Sequence, residues 1–336
     1  MVRLITLACV LYCALPATRA DPTDHQERRV SEEFSTDWHE HLFIGPAGWQ
    51  YDDWNGIFYP SPRPRAFDAL EYVASYFNLD EINSTFYRVP DPDLCRRWTQ
   101  RVAHNPRFLF TAKAHRALTH GAVDHPPELD SFRRGMQPLA AAGRLGCVLL
   151  QFPWSFRFEA RPRQRIEALV AALAPLPLAI EVRHASWDTP HADEFLAGTG
   201  ASVCGIDQPV IGESRPPYRH HAGAAGAYFR FHGRNYANWF RDGAGRDARY
   251  DYLYPAAELS PWAGVIAGAA QESRRVFVVL NNHFRGQAPA NAFELEAMLT
   301  GKRPGAPPGL RAAYPGIVAH TVAATAPGVD GDLFGG

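Results

Sequence analysis

The stretch AYFRFHG, residues 227–233, alternates aromatic side chains with a basic residue and a histidine. Successive side chains of a β-strand point to opposite faces, so Phe229 and Phe231 share one face while Arg230 and His232 share the other. The polar side chains lie toward the carboxyl end of the stretch. This pattern predicts a strand that packs one face on helices and turns the other toward a polar interior.

Other apolar runs end in the same way. In LAIEVRH, residues 178–184, Ile180 and Val182 oppose Glu181 and Arg183. Eight strand-like runs cover residues 42–48, 78–83, 107–113, 147–153, 178–184, 201–207, 227–233 and 276–282. Helical patterns lie between most of them, at residues 65–77, 127–142, 163–174, 191–199, 256–270 and 288–300.

Strands that alternate with helices predict parallel βαβ units. Eight units within about 280 residues match the size of a (β/α)8 TIM-type barrel, and an open doubly wound sheet is the alternative. We expect a single α/β barrel domain at residues 41–302. A flexible N-terminal segment at 21–40 would precede it, and a C-terminal extension at 303–336 would follow it.

The polar strand ends predict a site, because barrel enzymes carry their chemistry at the carboxyl ends of the strands. The candidates for catalysis are Glu81, Lys113, Glu181 and His232. The candidates for substrate binding are Trp49, Tyr51, Asn83, Tyr87, His120, Gln151, Arg183, Asp207, Arg230, Asn281, Asn282 and His283. These side chains could instead be paired ions and amides that fill the barrel. Burying six ionised groups is costly even when they are paired, which favours a ligand.

Two long loops are expected to overlie this site. The loop at 48–65 carries five aromatic side chains, which predicts either a stacking wall for a sugar or base or a small satellite core. The loop at 233–255 is rich in arginine and aromatic residues, and its length favours a functional role. We interpret it as a lid.

Metal and cofactor chemistry finds little support in the sequence. Histidines at several strand ends, together with Glu81, Glu181 and Asp207, could form a metal site. No compact ligand spacing supports one and three nearby cations oppose it, so we expect no metal. Glu81 and Glu181 could also act as a glycosidase pair, although the sequence does not give their separation. The cofactor stays unidentified.

The composition limits the partners and the cellular location. The formal net charge is −1, so no global field draws the chain to nucleic acid or to an anionic membrane. Residues 1–20 resemble a secretory signal, and a mis-called start codon is the alternative. That run is too short for a transmembrane helix and no other segment is long enough, so we expect no membrane partner. An odd number of cysteines beyond the leader argues against disulfides and favours the cytoplasm, whereas a genuine leader would imply export.

Several segments together resemble the domain of unknown function 72 family. They are IGPAGWQYDDWNGIFYP, DEINSTFYRVP, FTAKAHRALTH, VLLQFP, AIEVRHASW, YFRFHGRN, RYDYLY and VVLNNHFRGQAPANA, in order from about residue 42 to about residue 300. The resemblance implies a TIM-type barrel and a mostly cytoplasmic location, and it supplies no activity. Family members often end in a Leu-Phe tail that resembles a sliding-clamp peptide. Here Asp332, Leu333 and Phe334 remain but the glutamine of such a peptide is missing, so we do not expect clamp binding.

Two functions are compatible with these features. The first is an enzyme, a lyase, isomerase or hydrolase, that acts on a polar anionic small molecule such as a sugar derivative. Arg183 and Arg230 would hold the anion, Glu81 or Glu181 would act as acid or base with His232, and Lys113 would be an electrophile, a general acid or a Schiff-base amine. The second is a nucleic-acid-associated protein whose basic and aromatic loops stack a single strand or a flipped base.

Overall fold

A computed structural model describes residues 38–121, 126–241, 243 and 245–324 of the 336-residue chain. The leader predicted at residues 1–20, most of the segment predicted at 21–40, and the Asp332–Phe334 motif lie outside the described residues. Among the helices that are described, none is both long enough and apolar enough to cross a membrane.

The predicted strands are confirmed, and they form two parallel sheets. One sheet has the order β1-β9-β8-β7 and the other the order β2-β3-β4-β5-β6. The strands are β1 Leu42–Pro46, β2 Leu79–Ile82, β3 Leu109–Lys113, β4 Leu145–Gln151, β5 Leu178–Glu181, β6 Ser202–Val203, β7 Gly205–Asp207, β8 Ala227–Phe231 and β9 Val276–Leu280. The sixth predicted strand is therefore divided between the sheets, because Cys204 separates β6 from β7.

Helices connect most of the strands, and the six predicted ones are confirmed. The helices are α1 Ala69–Tyr76, α2 Pro92–Arg101, α3 Arg116–Thr119, α4 Glu128–Ala141, α5 Ala160–Leu173, α6 Pro190–Gly198, α7 Arg246–Tyr250, α8 Ala256–Glu272, α9 Gln287–Thr300 and α10 Pro308–Ala313. The helix α2 was not predicted from hydrophobic periodicity. Its start has a clear local cause, since Asp91 caps the backbone N–H of Asp93 and Pro92 occupies the first turn.

The two sheets approach each other where β1 and β2 face one another and where β6 passes into β7. The side chain of Asn78 accepts from Ile44 N at 2.9 Å and donates to Leu42 O at 2.8 Å. At the other seam, Cys204 N donates to Ile180 O of β5 at 2.9 Å. No backbone ladder joins β1 to β2 within the part of the chain that is described, so the closed (β/α)8 barrel stays a prediction.

Two apolar clusters lie on opposite faces of the strands, as the alternation predicted. The larger cluster holds Ile180, Val182, Phe229 and Phe231 together with the buried faces of the helices. The smaller cluster takes side chains of the other parity from both sheets, among them Phe43, Leu79, Leu149, Ala179, Tyr228 and Phe277. The polar site lies on this second face, toward the carboxyl ends of the strands.

The predicted C-terminal extension contributes to the core over its described part. Strand β10 (Gly305–Ala306) pairs with β11 (Val322–Ala323) in a separate two-stranded sheet. Between them, Leu310 of α10 and Ile317 of a 3-10 helix (Pro315–His320) are buried in the larger apolar cluster. The boundary predicted at residue 302 therefore does not coincide with the end of packed structure.

Candidate functional site

Arg230 of β8 connects the two sheets at the centre of the site. Its guanidinium Nη2 donates to Glu81 Oε1 at 2.6 Å, and Nη1 donates to Glu181 Oε2 at 2.5 Å. All three side chains are almost completely buried. Because β8 belongs to one sheet while Glu81 (β2) and Glu181 (β5) belong to the other, this ion pair holds three strand ends together.

Arg183 completes the partners of Glu181. Its Nε donates to Glu181 Oε1 at 2.7 Å, while its own side chain remains 14% exposed. Burial alone would raise the pKa of Glu181, but the charges of Arg183 and Arg230, and a neighbouring His232, hold that pKa well below its usual range. Glu181 is therefore a carboxylate at neutral pH, and Arg183 can still reach a ligand.

Glu81 has a second partner, Tyr228, which was not predicted to belong to the site, and neither was Thr111 beside it. The hydroxyl of Tyr228 donates to Glu81 Oε2 at 2.8 Å and also lies 2.8 Å from Thr111 Oγ1. Burial raises the pKa of Tyr228 well above its usual range, so the phenol keeps its proton. A sequence signal for both existed, since Tyr228 precedes Arg230 by two positions and Thr111 precedes Lys113 by two.

Every oxygen of the two central carboxylates therefore accepts a hydrogen bond. Glu81 is bonded to Arg230 and Tyr228, and Glu181 to Arg183 and Arg230. Carboxylates engaged in this way are counter-ions to the arginines, with no oxygen left for a ligand proton. The arrangement does not favour the predicted acid–base role of either glutamate, nor the alternative of a glycosidase pair.

His232 lies against both arginines. Its Nε2 is 3.2 Å from Arg183 Nη2 and 3.2 Å from Arg230 Nη1, and its Nδ1 is 3.0 Å from Asn281 Nδ2. Burial and the charge of Arg230 lower the pKa of His232 to about 3. The imidazole is therefore neutral at physiological pH, which suits a hydrogen-bonding role better than the predicted proton transfer.

Lys113 differs from the other charged groups of the site. It ends β3, and its Nζ lies 3.9 Å from the centre of the Phe86 ring. Across the described ranges, no hydrogen bond or ion pair engages this amine. Burial, followed by the charges of Arg230 and Arg183, lowers the pKa of Lys113 to about 7, against the smaller opposing effects of Glu181 and Glu81. A substantial share of the amine is therefore neutral at physiological pH.

Amide side chains surround the charged centre. Asn83 Nδ2 lies 3.4 Å from Asn281 Oδ1, which brings the ends of β2 and β9 together. Gln151 ends β4 in register with Glu181, and its side chain has no hydrogen-bond partner among the residues described. These three amides are the predicted binding residues that lie beside the Glu–Arg network.

His120 and Tyr87 flank the Lys113 side of the site. The His120 ring packs edge-on against Phe86 at 5.0 Å, and its Nδ1 lies 2.8 Å from Thr119 Oγ1. Burial and the charge of Lys113 lower the pKa of His120 to about 4. Tyr87 also packs edge-on against Phe86, at 5.1 Å, and its side chain is 69% exposed.

Two predicted binding residues belong to other parts of the structure. Trp49 is buried in the larger apolar cluster, where its ring packs against Trp98 at 5.4 Å. Asp207 is buried and accepts from Arg234, from Tyr254 at 2.7 Å and from Trp262 at 2.7 Å. The loop tryptophan therefore belongs to the core, and the aspartate is neutralised by its own arginine.

The remaining predicted binding residues lie around β9 and the first loop. Asn282 donates to Asn291 Oδ1 at 2.9 Å and to Tyr252 O at 2.8 Å, which ties β9 to α9 and to the loop before α8. The ring of Tyr51 stacks on His283 at 4.6 Å and 15°. Asn282 therefore has a structural role, while Tyr51 and His283 form one wall of packed rings.

The loop after β8 covers the site with aromatic rings that the sequence did not single out individually. Trp239 and Tyr250 lie 6.2 and 6.4 Å from His232, measured between ring centres, and Tyr250 lies 5.3 Å from His283. Trp239 is buried although it belongs to a loop. These two rings of the loop therefore pack beside His232 and His283, and the lid at residues 233–255 stays a prediction.

The described part of the chain contains no cluster of side chains suited to bind a metal ion. No group of three or more histidine, cysteine, aspartate or glutamate side chains is arranged there to hold one. The glutamates of the site are bonded to arginine, and His232 is bordered by two guanidinium groups. These contacts suit an anionic ligand better than a cation.

Comparisons with known proteins agree on one family. The sequence model of a family described as protein of unknown function DUF72 matches residues 43–313. The chain is 29% identical over 274 residues to the UPF0759 protein YunF of Bacillus subtilis, covering 77% of this chain and 94% of that protein. It is 30% identical to the UPF0759 protein YecE of Escherichia coli K12 over 52% of this chain and 60% of that protein.

Solved structures give the same result. The chain resembles the crystal structure of a DUF72 family protein from Thermotoga maritima, with a TM-score of 0.65 and 30% identity over 77% of this chain and 98% of that one. It also resembles a DUF72 family protein from Enterococcus faecalis, with a TM-score of 0.66 and 24% identity over 77% of this chain and 95% of that one.

Proposed function

We propose, from the premise that this chain belongs to the DUF72 family of proteins of unknown function, that it is an enzyme for a small anionic molecule. The substrate would bind where the strands end, beside Lys113 and Arg183. One observation carries the proposal: at the strand ends, two carboxylates with all their oxygens hydrogen-bonded lie beside two basic side chains that could still bind a ligand. The glutamates are neutralised by arginine, whereas the Lys113 amine has no ion pair among the described residues and the Arg183 guanidinium remains partly exposed.

A closed (β/α)8 barrel is part of this proposal. The smaller apolar cluster supports it, because it takes inward side chains from strands of both sheets. The hydrogen bonds of Asn78 across β1 and β2, and of Cys204 to β5, support it at the two seams. In such a barrel the carboxyl ends of the strands converge on one mouth, which would bring Lys113 and Gln151 to the same pocket.

The charge of the site favours an anionic ligand. Three basic side chains, Lys113, Arg183 and Arg230, meet two carboxylates, Glu81 and Glu181. Arg230 is buried and bonded to both carboxylates, whereas Arg183 remains partly exposed. A guanidinium recognises a carboxylate or phosphate through two parallel hydrogen bonds, so Arg183 is the group that would hold the anion.

The reaction would use Lys113 as its acid, base or nucleophile. An amine with a pKa of about 7 exchanges protons readily at physiological pH. Gln151, Asn83 and Asn281 would orient hydroxyl or carbonyl oxygens, and neutral His232 would donate or accept one hydrogen bond. Lyases, isomerases and hydrolases of sugar derivatives or related acids can use such a combination of groups.

Thermal denaturation with a panel of anions tests the proposal. Carboxylated and phosphorylated sugars should stabilise the protein, because a ligand present at about 100 times its Kd adds about 2.7 kcal/mol. The Arg183→Gln variant should lose this stabilisation. Arg157→Gln is the matched control, because Arg157 forms an exposed pair with Glu213 and should change nothing. Equal responses of the two variants, or no response to any anion, would contradict the proposal.

A second candidate, nucleic-acid binding, rests on exposed aromatic side chains. Tyr87, Tyr236 and Phe240 are 69%, 55% and 52% exposed and belong to loops after β2 and β8. Exposed rings of this kind can stack on bases of a single strand. Filter binding of single-stranded oligonucleotides at two salt concentrations tests it, because binding through phosphates weakens steeply with salt. Absence of binding at low salt would exclude this candidate.

A further inference from the structure

Among the described residues at the strand ends, the amine of Lys113 has no ion-pair partner. Both oxygens of Glu81 and both of Glu181 are bonded, to Arg230, Arg183 and Tyr228. Lys113 extends beside them from β3, yet no carboxylate of the described residues lies within 4.0 Å of its amine. A lysine that merely filled the site would be expected to share one of these carboxylates.

The neighbours of Lys113 favour the uncharged amine. The chain of Lys113 is largely buried, and the guanidinium groups of Arg230 and Arg183 repel a second positive charge. The Phe86 ring, 3.9 Å from Nζ, opposes these effects in part, because an aromatic face attracts a cation. The charged or titratable groups that act on or border this amine are Arg230, Arg183, Glu181, Glu81 and His120.

We propose that Lys113 forms an imine with the carbonyl carbon of a small aldehyde or ketone that also carries a carboxylate or phosphate. The inference rests on the proposed function, because Arg183 would hold the anionic end of that substrate. It narrows the substrate from any anion to an oxo acid or an open-chain sugar phosphate. It also gives Lys113 the role of nucleophile in preference to a general acid.

The chemistry balances without an oxidant or reductant. The neutral Lys113 amine adds to the carbonyl carbon, and one proton passes from the nitrogen to the oxygen, which gives a neutral carbinolamine. The C–O bond then breaks, one further proton from solvent leaves with the oxygen as water, and a protonated C=N bond remains. The positive charge of this iminium lies where Phe86 can stabilise it. An iminium withdraws electrons from the adjacent C–C or C–H bond, which matches lyase or isomerase chemistry.

The composition of the chain supplies an internal control. It contains two lysines, Lys113 in the site and Lys302 in an exposed loop after α9. Borohydride reduces an imine to a stable secondary amine, so peptide mapping can compare labelling at these two positions and at the amino terminus. The probes are pyruvate, glyoxylate and dihydroxyacetone phosphate, with acetone as a carbonyl compound that carries no anion.

We expect at least one anionic probe to label Lys113 at least about tenfold faster than Lys302. About half of an amine with a pKa of about 7 is neutral at pH 7, against roughly one in 2,500 for an ordinary lysine. Acetone should label Lys113 much more slowly than that probe does. Lys113→Arg should remove the label while retaining the charge, and Lys302→Arg should leave labelling at position 113 unchanged.

The outcomes separate this inference from the proposed function. If anions stabilise the protein through Arg183 but no probe labels Lys113 in preference to Lys302, the imine is excluded and the anion-binding enzyme stands. If acetone labels Lys113 as fast as the anionic probes, the anionic substrate class is wrong. If neither stabilisation nor labelling is seen, both proposals fail. Labelling of urea-denatured protein should be equal at the two lysines, and a persistent preference there would also contradict the role of the folded site.

Discussion

Replacing Arg230 with methionine should be among the most destabilising single changes in this protein. The guanidinium joins Glu81 and Glu181 through contacts of 2.6 and 2.5 Å, and the exposed fraction of the Arg230 side chain is only 1%. Methionine fills the same space with a flexible apolar chain, so the main effect is the loss of the positive charge. Two buried carboxylates would then face each other with one counter-ion fewer.

The expected loss in the free energy of unfolding is about 3–5 kcal/mol, the usual result of removing one partner from a buried ion pair. Twice that value is not expected, although two carboxylates are affected. Glu181 keeps Arg183 and Glu81 keeps the Tyr228 hydroxyl, so neither charge is left without a donor. Urea denaturation at pH 7, followed by circular dichroism, measures the difference from the parent protein.

The matched control is Arg96→Met, which removes an exposed arginine paired with Asp93. Surface pairs of this kind contribute about 1 kcal/mol or less. A loss at Arg230 as small as the loss at Arg96 would refute the reasoning. Adding Glu81→Gln to the Arg230→Met variant removes one of the two buried negative charges that have lost their shared counter-ion. The double variant should therefore regain part of the lost stability.

The pH dependence provides an independent check. The folded-state pKa of Glu181 is depressed, so this carboxylate contributes stability above its unfolded pKa of about 4.3 and loses that contribution as the pH falls through the lower folded value. Arg230 supplies part of this effect. The difference in the free energy of unfolding between the parent protein and Arg230→Met should therefore have its full value at pH 7 and should decrease below about pH 4. A difference that stays constant into strongly acidic solution would contradict the ion-pair explanation.

Three further predictions concern the sheet seam, the second carboxylate and the amine. Gly45→Ala would place a Cβ 1.9 Å from a carbonyl oxygen of β2, and we expect a loss of about 3 kcal/mol in urea denaturation. Tyr228→Phe removes the hydroxyl that donates to Glu81 and should lower stability by about 1.5–3 kcal/mol in the same assay. Acetylation of Lys113, measured by peptide mapping after brief exposure to acetic anhydride, should rise with a midpoint near pH 7, because the pKa of this amine is lowered to about 7.

Each of these has a control in the same chain. Gly198→Ala adds a Cβ that meets nothing within 4 Å, so its effect should stay within about 1 kcal/mol. Tyr236→Phe alters an exposed phenol and should be silent. The exposed lysine at position 302 is the comparison for Lys113. Equal effects of the two glycine or the two tyrosine variants, or identical pH profiles for the two lysines, would each contradict the corresponding prediction.

Much of the fold followed from the sequence, because strand alternation is a local property. Phe229 and Phe231 were assigned to the helix-facing side and Arg230 and His232 to the interior, and the apolar clusters follow that division. The strand and helix positions were likewise predictable from apolar periodicity. Helix α2 was not predicted, although its buried Cys95 and Trp98 lie three positions apart on one helical face and Asp91 caps its start.

The sequence also determined which residues lie at the strand ends, but it could not assign their partners. Glu81, Glu181, Arg183 and Arg230 were candidates, yet Asp207 was equally acceptable until the structure joined it to Arg234, which lies in the following loop. Pairing depends on distances between strands that are far apart in the chain, and alternation carries no information about them. For the same reason only the tertiary structure decided that the carboxylates are saturated and that Lys113 has no ion pair among the described residues. The physical basis of its lowered pKa is burial, followed by the charges of Arg230 and Arg183.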